Sequence, residues 1–306
     1  MPRKSRYDGL TKREIEREKL RDKAVYKADT LIQHSRFTLT ITEQRLILFT
    51  ISAIKPTDSV FKAYHFPMSD FFEICGIKGK ESYFELKKTI VGLQKKFWWI
   101  DMIDEEGCEC ESSVNWFSTC RITKPRKGNE DGIDDSRLTV TIKFHEDMMP
   151  YLLELAKNFE DNGEFYSHYT FKHVLPMKSQ YGPRLYEILF SYAKNNEAWC
   201  FDLAELRKRL DCQTIYPAYK DFRINVIEPA IREINTYTDI IIGYEPEKRG
   251  HRVAWLHFNF RKKNTAEKIS AEKRLLTALD GDVHYWDADG TLIGKQVSML
   301  DLDGNA

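Results

Sequence analysis

The feature that most constrains this chain is a repeat within it. The first copy runs through LTITEQRLILFTISAIKP, AYHFPMSDFFEICGI and ESYFELKKTIVGLQKKFWWIDMI. Thr42 with Gln44 and Arg45 reads as a helix start, and Leu46, Ile47, Phe49, Thr50 and Ile54 form an apolar face ending at Pro56. An extended Tyr64–Phe66 leads to a Ser69 N-cap and a short helix, Asp70 to Cys75, stopped by Gly76. Phe84, Leu86, Ile90, Val91, Leu93 and Phe97 follow at helical spacing, with Lys87, Lys88, Lys95 and Lys96 on the other side. The chain then turns to strand. In the second copy, YGPRLYEILFSYAKN is a helix with Pro183 in its first turn and Leu185, Ile188, Leu189 and Tyr192 on one face. Trp199–Phe201 is extended, Asp202 caps a second helix, and Phe222, Val226, Ile227, Ala230, Ile231 and Ile234 line a third. Phe66 and Phe201 are 135 positions apart, Leu86 and Phe222 136, and Phe97 and Ile234 137. Two copies in register mean one supersecondary unit built twice.

Each copy ends in a hairpin. In the second, Asp239–Tyr244 and Val253–Phe260 flank the turn EPEKRGHR, with Pro246 and Gly250. In the first, the hairpin runs through DEEGCECESS to Val114–Ile122, and the loop PRKGNEDGIDD precedes a strand from Arg137 to Phe144. The pattern predicts an α+β fold of two tandem winged-helix domains, each a helix-turn-helix with a β-hairpin wing. The segments are a basic N-terminal arm (1–27), a first winged helix (28–145), a connecting helix and strand (146–175), a second winged helix (176–263) and an acidic C-terminal tail (264–306). The helix Met148–Leu155 is apolar enough to join the two domains, and the tail is expected to be weakly ordered or a partner contact. Trp98, Trp99, Trp116 and Trp255 read as core.

Composition enters through charge. The 306 residues carry 47 basic and 47 acidic side chains. Taken over the arm, the first half to residue 175, the second domain and the tail, that neutral total splits into +5, −5, +4 and −4. The positive excess therefore lies in the arm and the second domain, which suggests nucleic-acid contact there. The N-terminus lacks the apolar core of a secretory signal, and no apolar run reaches transmembrane length, so no membrane association and a cytoplasmic location are expected. Six cysteines are too sparse for a disulfide scaffold; Cys75, Cys200 and Cys212 read as core, and Cys108, Cys110 and Cys120 lack zinc-finger spacing. No metal or cofactor is expected.

In a helix-turn-helix the second helix enters the major groove, and its N-terminal residues meet base edges. Here that helix begins near Tyr219. Lys220 and Arg223 point away from its apolar face, as does Asn225; Arg binds guanine bidentately and Asn binds adenine so. Arg207 and Lys208 on the preceding helix suit phosphates. Lys248, Arg249, His251 and Arg252 lie at the wing tip, suited to phosphate or minor-groove contact. Lys87, Lys88, Lys95 and Lys96 form a basic stripe on the first domain, but Glu85 and the acid-rich DEEGCECE there fit backbone clamping or dimerisation better than base reading.

From about Leu31 to Lys263 the chain resembles the iteron-binding plasmid replication initiators. The matching segments are LTITEQRLILFTISAI, FPMSDFFEICGI with YFELKKTIVGLQKKF, YLLEL, and above all KSQYGPRLYEILFSYA, FDLAELRKRLDC and FRINVIEPAIREIN. The resemblance implies binding to directly repeated origin sites, help in opening the duplex, and recruitment of the host initiator, helicase and primase, with host chaperones as further partners. It also implies a homodimer in equilibrium with monomer, the dimer binding an inverted repeat and repressing its own gene. The family's reading helix falls on Tyr219–Asn235, though the family often has a basic residue where this chain has Ile224. Enzymatic readings fare worse. The eight histidines include no pair two apart, which a DNA-nicking H-x-H site needs, and GIKGKES lacks P-loop spacing. The protein is expected not to be an enzyme. The remaining alternative is a winged-helix transcriptional repressor without initiator activity.

Overall fold

The computed structural model describes residues 10–76, 82–103, 106–124 and 138–280, and the backbone of 283–286 and 292–296. The predicted loop PRKGNEDGIDD and residues 287–291 of the HYWDADGTLIGK segment lie outside the described residues. Helix α1 (Lys12–Arg21) starts with a capping box, in which Thr11 and Glu14 bond each other's backbone N–H groups. Strand β1 (Ala24–Ala28), helix α2 (Asp29–His34) and the short β2 (Ser35–Arg36) follow. The first repeat unit consists of α3 (Ile41–Ile51), β3 (Tyr64–Pro67), α4 (Met68–Cys75), α5 (Ser82–Gln94), β4 (Phe97–Ile103), β5 (Glu109–Asn115), β6 (Phe117–Thr123) and β7 (Thr139–Phe144). Helices α6 (Met149–Leu152) and α7 (Leu155–Asn162) lead to β8 (Tyr166–Thr170), which pairs antiparallel with β1.

The second unit has α8 (Gly182–Ala193), β9 (Ala198–Asp202) and α9 (Leu203–Arg209). The helix expected to be the reading helix follows, made of α10 (Tyr219–Phe222), a π-turn (Arg223–Ile227) and α11 (Glu228–Tyr237). Strands β10 (Ile240–Arg249) and β11 (Arg252–Lys262) complete it, and α12 (Thr265–Asp280) packs on α11. A two-stranded ribbon, β12 (Val283–Trp286) with β13 (Leu292–Gln296), ends the described chain.

The two units share a sheet order. Strand β3 pairs with β7, and β7 with β6; β9 pairs with β11, and β11 with β10. Phe66 faces Val140 across one sheet as Phe201 faces Leu256 across the other, and all four are buried. The first unit differs by an inserted hairpin, β4–β5, which joins β2 in a separate sheet. The predicted strand Val114–Ile122 is therefore two strands in two sheets, broken at Trp116. Trp116 and Phe117 are both buried, which a single half-exposed strand does not allow.

Other sequence expectations shift for identifiable reasons. The α3 cap is Thr40, not Thr42, because Thr40 and Glu43 form the capping box. Helix α4 begins at Met68, ahead of Ser69, and ends as expected at Gly76 in the left-handed conformation (φ 66°). A Cβ on Gly76 would lie 2.9 Å from the Leu279 carbonyl oxygen, so glycine also permits α12 to end against α4. On α5, Leu86, Ile90 and Leu93 are buried, whereas Phe84 and Val91 are exposed, as is Phe97 at the start of β4. Trp98 and Trp116 are buried, but Trp99 is exposed and Trp255 half-buried, because they alternate with core neighbours along their strands. Cys200 is exposed on the outer face of β9. The helix expected over Met148–Leu155 breaks after Leu152, and Glu154 takes a left-handed conformation before α7.

The arm and tail are folded where described. Arg21 of α1 is 1% exposed. Its guanidinium donates to the Ile74 carbonyl at 3.1 Å and to Glu18 and Asp280 at 2.9 Å each. Ala271, Leu275, Leu276 and Leu279 bury one face of α12. The expectation of a weakly ordered tail therefore fails for residues 265–280, and α12 straps the second unit back to α1 and α4.

Candidate nucleic-acid interface

The reading helix is held by its apolar face. Phe222, Val226, Ile227, Ala230, Ile231 and Ile234 are all buried, as their spacing predicts. The opposite face carries the exposed Lys220, Asp221, Ile224, Asn225 and Arg232. Pro229 accounts for the π-turn between them. It has no N–H to offer the Asn225 carbonyl, and its ring would clash with that oxygen, so the turn before it widens.

Of the residues expected to read bases, Lys220 projects from the front of the helix. Arg223 is half-exposed and bonded to Glu228 at 2.8 Å. Asn225 donates 2.8 Å back to the Asp221 carbonyl. Tyr219 is half-buried beside Tyr244, and burial pushes its phenol up to about 12.

The preceding helix behaves differently from the sequence expectation. Arg207 is buried, donates to the Tyr216 carbonyl, and stacks its guanidinium 4.5 Å over the Phe222 ring. It pins the turn of the helix-turn-helix to the reading helix and is closed to phosphate. Lys208 crosses to the first unit, with its ammonium 2.8 Å from Asp101 and 3.4 Å from Glu111. The bond to Asp101 raises its pKa. Arg36 bonds the same two carboxylates at 2.9 and 3.0 Å, so in this structure Lys208 ties the second unit to the first.

The wing is longer than its turn signals suggest. EPEKR is strand, with Pro246 opposite Leu256, and the turn is the two residues Gly250–His251, with Gly250 at φ 64°. Lys248, Arg249, His251 and Arg252 are all exposed at this tip. The nearest acid on the strand, Glu247, is drawn to His257 at 2.5 Å, which leaves the tip cationic. The exposed cations of the second unit thus lie at two places, Lys220 on the helix front and Lys248, Arg249 and Arg252 on the wing tip.

In the first unit, Lys87, Lys88 and Lys95 are exposed, whereas Lys96 bonds the buried Glu43 at 2.6 Å. Phe84, Lys88, Val91 and Lys95 recur at helical spacing on one exposed face, so cations there alternate with apolar groups. Glu109 and Glu111, read from the sequence as wing residues, lie exposed on β5 of the inserted hairpin instead. Among the described residues no group of three or more His, Cys, Asp or Glu is placed to hold a metal ion, and no helix is long and apolar enough to cross a membrane.

Comparison with known proteins agrees with the two-unit architecture. A family model described as "Initiator Replication protein, WH1" matches residues 24–190, and one described as "Initiator Rep protein, WH2" matches residues 202–260. A "Replication initiation protein" of Escherichia coli is 22% identical over 266 residues, 84% of this chain and 76% of that protein. Among solved structures, the Pi initiator protein in complex with iteron DNA superposes with a TM-score of 0.62 at 18% identity, covering 80% of this chain and 99% of that one. The chain thus belongs to the initiator replication protein family, with both of its winged-helix domains present.

Proposed function

We propose that this protein is a plasmid replication initiator that binds directly repeated origin sites, iterons, through its second winged helix. The observation that carries this reading is the joint exposure of Lys220, Lys248, Arg249 and Arg252 on reading helix and wing, in a fold shared with an initiator solved on iteron DNA. The protein positions DNA and recruits partners rather than catalysing a reaction. It works in the cytoplasm on double-stranded DNA, helping to open the origin and engaging the host initiator, helicase and chaperones. Three phosphate contacts from the wing side chains Lys248, Arg249 and Arg252 give a log–log salt slope of about −2.7 in a binding titration. A flat salt response would show that phosphates are not held.

The same protein acts as a homodimer in equilibrium with monomer, the dimer repressing its own gene at an inverted repeat. Strand β5 supports this, since it is the edge of the sheet β2–β4–β5. The exposed Phe97, Trp99 and Ile103 of β4 lie beside that edge. Sedimentation velocity is expected to show two species whose ratio moves with concentration, and Trp99→Lys with Ile103→Lys is expected to leave monomer. A single species for wild type at every concentration contradicts the dimer.

A further inference from the structure

We propose that Ile224 is a specificity residue that reads a thymine through its 5-methyl group. The inference rests on the second winged helix being the one that reads DNA. Ile224 is 43% exposed on the front of the reading helix, while Phe222, Val226 and Ile227 around it turn into the core. Its neighbours do not shield it. The Arg223 guanidinium is drawn to Glu228, and the Asn225 amide folds back onto Asp221. An alkyl group thus stands among Lys220, Asp221 and Asn225 on the surface that faces the groove.

In a major groove the base edges are donors and acceptors, apart from one apolar feature, the thymine 5-methyl. Pressing an isoleucine against the polar edges strips their water and offers no hydrogen bond in return. Set against a thymine methyl, the same side chain buries apolar surface on both partners. Ile224 therefore favours sites with thymine at one position and disfavours the other bases there. Lys220 lies one helical turn earlier, about 6 Å along the axis. That distance corresponds to about two base pairs. The thymine is thus within about two base pairs of the Lys220 contact.

The test is a uracil scan, because uracil removes the methyl group and leaves every hydrogen-bonding atom in place. Full-length wild type and Ile224→Ala are titrated against duplexes carrying the sequence that wild type protects beside its gene. Each thymine is replaced in turn by deoxyuridine. One position is expected at which uracil weakens wild type about three- to ten-fold. At that position Ile224→Ala is expected to bind thymine and uracil duplexes alike. Equal effects of uracil on both proteins at every position would overturn the role of Ile224 and leave the wider assignment of the second domain standing. Failure of wild type to distinguish the repeat from a scrambled duplex would instead overturn that assignment, and the inference with it. The scan on wild type alone gives an answer independent of the variant's folding.

Discussion

Glu187→Ala is expected to cost about 3–5 kcal/mol of unfolding free energy. That is a large part of the roughly 5–15 kcal/mol that keeps a typical domain folded. Lys27 of β1 and Glu187 of α8 form an ion pair at 2.6 Å, with side chains 4% and 3% exposed. The Tyr169 hydroxyl of β8 donates to the same carboxylate. Burial lowers the Lys27 pKa even with Glu187 beside it, which shows how much hydration the ammonium has surrendered. Without Glu187 the charge is buried and unpaired. The variant then gains stability as pH rises, because its folded state binds fewer protons than the unfolded chain up to the ordinary lysine pKa of about 10.4. The double change Lys27→Met with Glu187→Leu is expected to recover most of the loss, since a buried pair adds little over well-packed apolar groups. Urea unfolding at pH 7 and pH 9 measures all three. A Glu187→Ala midpoint equal to wild type would mean that the triad does not fasten the second unit to the β1–β8 sheet.

The parts of this fold legible in the sequence are those that bury their own stripe. The reading helix declares itself because Phe222, Val226, Ile227, Ala230, Ile231 and Ile234 all face one core. Phe66 and Phe201 mark equivalent strands for the same reason. What the pattern misses depends on partners distant in sequence. The inserted β4–β5 hairpin pairs with β2, about 60 residues earlier, so its strands look like an ordinary wing. This insertion also explains why matching Phe97 to Ile234 fails: Phe97 is exposed at a strand start and Ile234 is buried in a helix. Arg207 and Lys208 read as phosphate contacts because a helix charge is normally solvated. Their actual partners, Tyr216, Phe222, Asp101 and Glu111, appear only once the chain is folded. Helix α12 was within reach, since Ala271, Leu275, Leu276 and Leu279 have helical spacing; the acidic charge of the segment pointed elsewhere.

Arg223→Ala is expected to weaken binding to the specific site by about 1–3 kcal/mol and to change binding to random DNA far less. Two losses combine. No guanidinium is left to reach a base, and Glu228, now 2.8 Å from Arg223, loses its cation and would repel the DNA anion. Adding Glu228→Gln is expected to restore part of the affinity without restoring discrimination. The wing provides the contrast. Replacing Lys248, Arg249 and Arg252 by alanine is expected to weaken every duplex alike and to flatten the salt slope by about 2.7, because phosphate contacts carry no sequence information. If Arg223→Ala binds specific and scrambled duplexes as wild type does, the reading helix is misassigned.

The central claim is that the second winged helix of this initiator reads a repeated DNA sequence. The most direct measurement is a footprint of the purified full-length protein on the DNA flanking its own gene. Protection is expected at several direct repeats spaced by roughly two helical turns, strongest where the reading helix meets the major groove and lost in Arg223→Ala. Uniform, sequence-independent protection, or none beyond a single inverted repeat, would contradict it.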